Sequence, residues 1–299
     1  MKCAVYVSRL TFDERIIQAN QPTSKPSDFL LQCPAMKLWE ALDIHPGETI
    51  AFVGAGGKTT AIWRVQAELV AKGGCAIVTT TTKVMEPLLP RDGALMLVAR
   101  PDATRIADLL DRAPRLVLAA RRLGNPVPAH ADHPVRSRPF KLDGLPSETL
   151  DELVEHLPGV TWLVEADGAK GCGIKLHAAH EPVIPHRATT IVVMAHLDVL
   201  GQPLDATTVH RVGDATRLLG VQVGTPLTPA LFARVLCDEM SLKGVPERAR
   251  VVALLTQRTV LHPAALALAN LLLQGQARYN HVVIAALRAD APVLTTVTR

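Results

Sequence analysis

One stretch limits the fold more than any other: Thr49-Ile50-Ala51-Phe52-Val53-Gly54-Ala55-Gly56-Gly57-Lys58-Thr59-Thr60. Ile50, Phe52 and Val53 form an apolar, β-favouring run that reads as a buried strand. Gly54, Gly56 and Gly57 then allow the left-handed backbone of a tight turn. Thr59 and Thr60 open a helix, because Ile62, Val65 and Leu69 follow at helical spacing. A helix N-terminus offers unpaired N–H groups and the positive end of a dipole, which suits a phosphate. Lys58 adds a mobile positive charge for outer phosphates, and Thr59 a hydroxyl suited to Mg2+. The segment from Gly54 through Ala55 to Thr60 is expected to be a phosphate-binding loop. The competing reading is a plain glycine turn beside a surface lysine.

The spacing departs from the common nucleotide-binding pattern G-x-x-x-x-G-K-[ST], which would need glycine where Phe52 stands. The form here is the shorter G-x-x-G-K-T-T, counted from Gly54. Its spacing resembles the loops of Mur-type amide ligases, and its double threonine resembles the signal-recognition class of GTPases.

From Leu38 onward, apolar strands alternate with amphipathic helical patterns. Strands are expected at Thr49–Val53, Cys75–Thr80, Ala94–Val98, Arg115–Ala119, Thr161–Ala166, Thr189–Met194, Arg250–Leu255 and His281–Ala286. Helices are expected between most of them, one of them capped by Ser147. This alternation predicts an α/β fold, P-loop NTPase-like, with a mostly parallel sheet and helices on both faces. Ligands in such sheets sit at the carboxyl ends of the strands. Residues 1–35 read as an N-terminal extension or arm, with Met36 an alternative start. Residues 36–299 read as the domain, with a lid-like loop over about 124–146.

Composition removes several classes. No apolar run approaches the roughly 20 residues that span a bilayer, so no membrane partner is expected. The net charge of +4 is spread along the chain and predicts no nucleic-acid partner. The five cysteines include no C-x-x-C pair, which excludes a zinc knuckle and fits a cytoplasmic location.

Two further clusters lie at expected strand ends. Thr79-Thr80-Thr81-Thr82-Lys83 could bring Thr81, Thr82 and Lys83 to a phosphate, a Mg2+ or an attacking water, or could simply extend the strand with β-branched residues. Trp162-Leu163-Val164-Glu165-Ala166-Asp167-Gly168-Ala169-Lys170-Gly171 is an apolar strand ending in acids, the arrangement that holds a metal beside a phosphate chain. Glu165 and Asp167 are two apart and would share a side of an extended strand, while Lys170 is free to approach the same anion. Thr59 and Asp167 are the expected metal pair, with Lys58, Glu165, Asp167 and Lys170 as catalytic candidates.

These three clusters together resemble the YqeC-type selenium-dependent hydroxylase accessory proteins. The match runs on through Lys175, His180-Glu181-Pro182-Val183-Ile184-Pro185, Leu197-Asp198-Val199-Leu200-Gly201-Gln202-Pro203-Leu204 and His210-Arg211. The resemblance implies a P-loop NTPase-like protein that binds ATP or GTP with Mg2+. Its implied partners are a molybdenum hydroxylase or its maturation proteins. In related GTPases an [NT]-K-x-D element reads guanine; here the segment is Thr256-Gln257-Arg258-Thr259. Thr256 fits as a nucleotide contact, but neutral Thr259 cannot accept the paired bonds that a carboxylate takes from guanine, which favours ATP.

Overall fold

All six residues of the first strand, Thr49–Gly54, are buried, because it lies in the middle of the sheet with a strand on each side and helices on each face. The computed structural model describes residues 36–86, 93–124, 140–275 and 278–299. The expected N-terminal arm and most of the expected lid, with His130, Asp132 and His133, lie outside the described residues.

The central sheet has nine strands: β1 (Thr49–Gly54), β2 (Ala76–Thr80), β3 (Gly93–Leu97), β4 (Arg115–Ala119), β5 (Thr161–Glu165), β6 (Thr190–His196), β7 (Arg250–Thr256), β8 (His281–Ala285) and β9 (Val293–Thr298). Their spatial order is β9-β8-β7-β6-β1-β5-β2-β4-β3. Only β9 runs antiparallel to its neighbour. The helices are α1 (Leu38–Ala41), α2 (Lys58–Ala71), α3 (Ala103–Leu110), α4 (Ser147–His156), α5 (Val212–Leu219), α6 (Pro229–Leu236) and α7 (Ala265–Gln274).

Alternation along the strands sorts the helices into two layers. Ile50, Phe52, Val192 and Met194 pack with α1 and α2 on one face. Ala51, Val53, Ile191 and Val193 pack with α5, α6 and α7 on the other. On that second face, Trp162 and Val164 of β5 pack with α3 and α4. The fold is therefore α/β, a mostly parallel sheet covered on both faces, as the alternating pattern predicted.

Two sequence expectations change. Ser147 is the first residue of α4 and not its cap: Pro146 occupies the cap position, and no side chain caps the helix. Strand β9 was not foreseen, because its edge position leaves it mostly half-buried, and an edge strand needs no continuous apolar run. Small ladders flank the mouth of the sheet. Arg121–Leu123, Lys141–Asp143 and Val84–Met85 form one antiparallel set, and Ile174–Lys175 pairs in parallel with Val209–His210.

Strand β1 lies between β6 and β5, so the chain leaving Gly54 emerges between their two carboxyl ends. Gly54 turns there with φ 92°, and a Cβ on it would lie 2.4 Å from the Met194 carbonyl oxygen of β6. Gly54→Ala would therefore combine a disfavoured backbone with a clash against an immobile carbonyl. We expect it to destabilise the protein by at least about 2 kcal/mol, read as a lower urea midpoint at unchanged slope.

Candidate functional site

The glycine turn is shaped by its neighbours as much as by its own residues. Gly56 and Gly57 also have positive φ, 85° and 98°. A Cβ at Gly56 would lie 2.6 Å from the His196 backbone nitrogen, so the loop rests directly on the end of β6. Thr256, at the end of β7, donates its hydroxyl to the Gly56 carbonyl at 2.7 Å. Helix α2 begins at Lys58 with Gly57 as its cap, and its first continuing bond runs from Ala61 N–H to the Gly57 carbonyl. Among the described residues, the N–H groups of Gly56, Gly57, Lys58, Thr59 and Thr60 have no hydrogen-bond partner.

Beneath this loop lies Asp167, fully buried. Its Oδ2 accepts from Gly54 N–H at 2.8 Å and from His177 Nε2–H at 2.6 Å, and lies 3.1 Å from Lys175 Nζ. Its Oδ1 lies 3.0 Å from Lys58 Nζ, which also donates to the Gly54 carbonyl at 2.6 Å. Burial opposes the charge on Asp167. The His177 hydrogen bond and the ammonium groups of Lys58 and Lys175 outweigh it and hold the carboxyl below the usual carboxylate range. Lys175, itself buried, continues the network to the Gly168 carbonyl at 2.6 Å and to Glu181 Oε2 at 2.7 Å, and Glu181 also pairs with Arg211 at 2.9 Å.

Glu165 is placed differently, although it is only two residues away. Strand β5 ends at Glu165, so the alternation that put the two acids on one side stops there. Glu165 is half-buried and accepts from the Thr59 hydroxyl at 3.1 Å. Burial raises its carboxyl above the usual range; Lys58 and the Thr59 bond work against the rise, and the charge of Asp167 adds to it.

A cleft of about 600 Å3 opens over the loop, a volume suited to a small organic ligand. Gly56, Gly57, Lys58, Thr59, Glu165 and Lys170 all line it. Lys170 is exposed on a left-handed turn, φ 48°. Arg258 and Asp198, an ion pair at 3.1 Å, close the far side.

The other expected site residues stand outside this cleft. Gly54, Ala55, Asp167 and Thr256 support the loop from behind; Ala55 N–H donates to the Met194 carbonyl at 2.8 Å. The metal pair anticipated as Thr59 and Asp167 is not what the structure places at the cleft, because Asp167 is enclosed; the carboxylate beside Thr59 is Glu165. Thr60 lies in the first turn of α2, outside the lining. The threonine run is largely used up locally. Thr79, Thr80 and Thr81 donate to the carbonyls of Leu118, Glu165 and Val183 at 2.9, 2.8 and 2.6 Å. Thr82 N–H donates to the Thr80 hydroxyl at 3.0 Å, and Lys83 is exposed. Neither Thr81, Thr82 nor Lys83 lines the cleft. Among the described residues no cluster of three or more His, Cys, Asp or Glu is placed to hold a metal ion. None of their helices is long and apolar enough to cross a membrane.

The roles of Lys175 and His177 were not read from the sequence. The one available signal was a lysine set between Ile174 and Leu176, a charge inside an apolar run.

A central parallel sheet with a glycine turn at its middle strand defines an α/β protein with a candidate ligand cleft at the carboxyl edge. The family model described as YqeC protein matches residues 50–213, more than half of the sequence, and the chain belongs to the YqeC family. It is 27% identical over 210 residues to "Uncharacterized protein YqeC" of Escherichia coli (strain K12), across 68% of this chain and 73% of the relative. No solved structure matches it.

Removing the charge of Asp167 tests the network directly. Asp167→Asn should cost about 3–5 kcal/mol, because it strips a buried partner from Lys58. The folded-state pKa of Asp167 is depressed, so its contribution is complete above the unfolded value of about 4 and is lost as pH falls below it. Urea titrations across acidic pH should show that fall in the wild type, and a shallower one in the variant.

Proposed function

We propose that this protein binds a nucleoside triphosphate with Mg2+ in the cleft over Gly54–Thr60 and hydrolyses it to drive maturation of a molybdenum hydroxylase. The observation that carries the nucleotide reading is the row of unpartnered N–H groups from Gly56 to Thr60, set beside Lys58 at the mouth of the cleft. Those groups would hold the phosphates. Lys58 keeps one of its three N–H donors without an oxygen partner, since only Gly54 O and Asp167 Oδ1 contact it.

The residues present suit Mg2+. Thr59 and Glu165 bring a hydroxyl and a carboxylate, oxygen ligands of the kind a hard cation takes, within 3.1 Å of each other at the cleft. Thr59 and Glu165 would hold the ion, which when bound offsets charge on the phosphate chain. Lys170, an exposed cation that also lines the cleft, can meet the same anion.

For the base, ATP is favoured over GTP. Gln257 spends its side chain on Val260 O and His262 N–H, Thr256 on the loop, and Arg258 on Asp198, and no acid stands at Thr259. The client, a selenium-dependent molybdenum hydroxylase or its maturation proteins, comes from the family resemblance, and the cytoplasmic location from the cysteine usage.

A second reading follows from the short G-x-x-G-K-T-T spacing counted from Gly54, which resembles that of Mur-type amide ligases: a kinase or a Mur-like ligase that transfers to a small acceptor. A non-catalytic scaffold with bound nucleotide is the remaining alternative.

Titration with a fluorescent ATP analogue should give saturable binding in the wild type and affinity weaker by about a hundredfold or more in Lys58→Ala; equal affinities would overturn the reading. Phosphate release without an acceptor supports the hydrolase, release only with an acceptor supports the transferase, and none supports the scaffold. Turnover should be at least as fast with ATP as with GTP, and strict GTP dependence would defeat the base assignment.

A further inference from the structure

We infer that Lys175 is a positioning residue for Lys58: it neutralises Asp167 from behind the loop, so that the Lys58 ammonium can pass from Asp167 to a bound phosphate. The inference rests on the phosphate-loop reading above and adds to it a residue that touches no ligand.

Two lysines share one carboxylate, and they are not equivalent. Lys175 has three oxygens within 3.1 Å: Gly168 O, Glu181 Oε2 and Asp167 Oδ2. These oxygens enclose its ammonium, and Lys175 does not line the cleft, so it has no open path to a ligand. Its side chain is completely buried, and its backbone is fixed by the pairing of Ile174–Lys175 with Val209–His210. Lys58 has two oxygens, Gly54 O and Asp167 Oδ1, and it lines the cleft. One ammonium is enclosed and fixed; the other is also largely buried, its side chain 5% exposed, but it lines the cleft.

Charge explains why both are present. An aspartate this deeply buried, facing one lysine, would hold that lysine tightly, because attraction between buried charges is poorly screened. A phosphate would then have to break the pair and leave a bare carboxylate in the interior, which is costly. Lys175 removes that obstacle. With Lys175, His177 and Gly54 N–H on Oδ2, Asp167 keeps three donors after Lys58 departs. The positive charge of Lys175 also weakens the hold of Asp167 on Lys58. Glu181, paired with Arg211 at 2.9 Å, holds Lys175 in place.

Two readouts test this, one of them free of nucleotide. Brief acetylation by acetic anhydride, followed by peptide mass spectrometry, should label Lys58 and spare Lys175. In Lys175→Met, labelling of Lys58 should slow by about threefold or more, because Asp167 then holds it alone. Affinity for the fluorescent ATP analogue should fall about tenfold in Lys175→Met, whereas adding the same change to Lys58→Met should shift the residual affinity by less than about twofold. Unchanged labelling of Lys58 overturns the inference, and so do losses that multiply in the double variant, which would mark Lys175 as merely structural. If Lys175→Met does not fold, Glu181→Gln serves instead: with Lys175 less firmly held beside Asp167, Lys58 labelling should slow, and unchanged or faster labelling refutes the inference. If the wild type binds no nucleotide while Lys175→Met still slows labelling, the nucleotide reading fails and the relation between the two lysines stands.

Discussion

A carboxylate taken out of water must recover its hydration from the protein, and Asp167 recovers it from three separate segments. Gly54 N–H and Lys58 come from the central strand and the helix after it. Lys175 comes from the short ladder beyond the next turn, and His177 from just after it. Neutralising Asp167 therefore draws the glycine turn, the end of β5 and the Ile174–Lys175 ladder together around one point. Lys175 brings a buried positive charge of its own, and that requirement extends the network to Glu181 and then to Arg211 at the start of α5. Removing any one member leaves a charge with too few partners, so the cluster stands or falls as a unit.

The contrast with Glu165 gives the site its division of labour. Two acids of the same strand end face opposite electrostatic problems. Asp167 has more positive charge around it than it needs and stays ionised; Glu165 has one hydroxyl and a share of Lys58, and its carboxyl rises. Pairs of acids whose environments push them apart in this way mark separate roles. Here the enclosed acid serves the architecture, and the acid at the cleft is available to a ligand.

Much of this was legible in the sequence, and the exceptions share a cause. The strand, the glycines and the amphipathic helix around Lys58 are local patterns, and local patterns fix local structure. The order of apolar runs likewise gave the parallel sheet. What failed to show was pairing over distance. The two acids were read as a matched pair because alternation holds within a strand, but β5 stops at Glu165 and Asp167 turns inward. Lys175 is eight positions from the acid it neutralises, across a turn, and no spacing rule links them. The threonine run was read for its hydroxyls, yet a hydroxyl at a strand end meets backbone carbonyls first, and Thr79, Thr80 and Thr81 all donate to one. Strand β9 escaped because a half-exposed edge does not demand apolar residues.

Thr256 shows how the sheet prepares the loop. Its hydroxyl holds the Gly56 carbonyl, and the backbone of His196 and Ala195 lies where a Cβ on Gly56 would have to go. The loop is thus fixed from behind by β6 and β7 before any ligand arrives. If the loop takes the ligand proposed for it, such support would reduce the conformational freedom lost on binding. The same arrangement limits what the Thr256–Thr259 segment can do. Its first residue is engaged with the loop, its second with Val260 and His262, and its third with Asp198. A segment spent on holding the loop and closing the cleft has few polar atoms left to read a base edge. The firmness of the glycine loop and the few polar atoms left free in the Thr256–Thr259 segment are therefore two consequences of one placement.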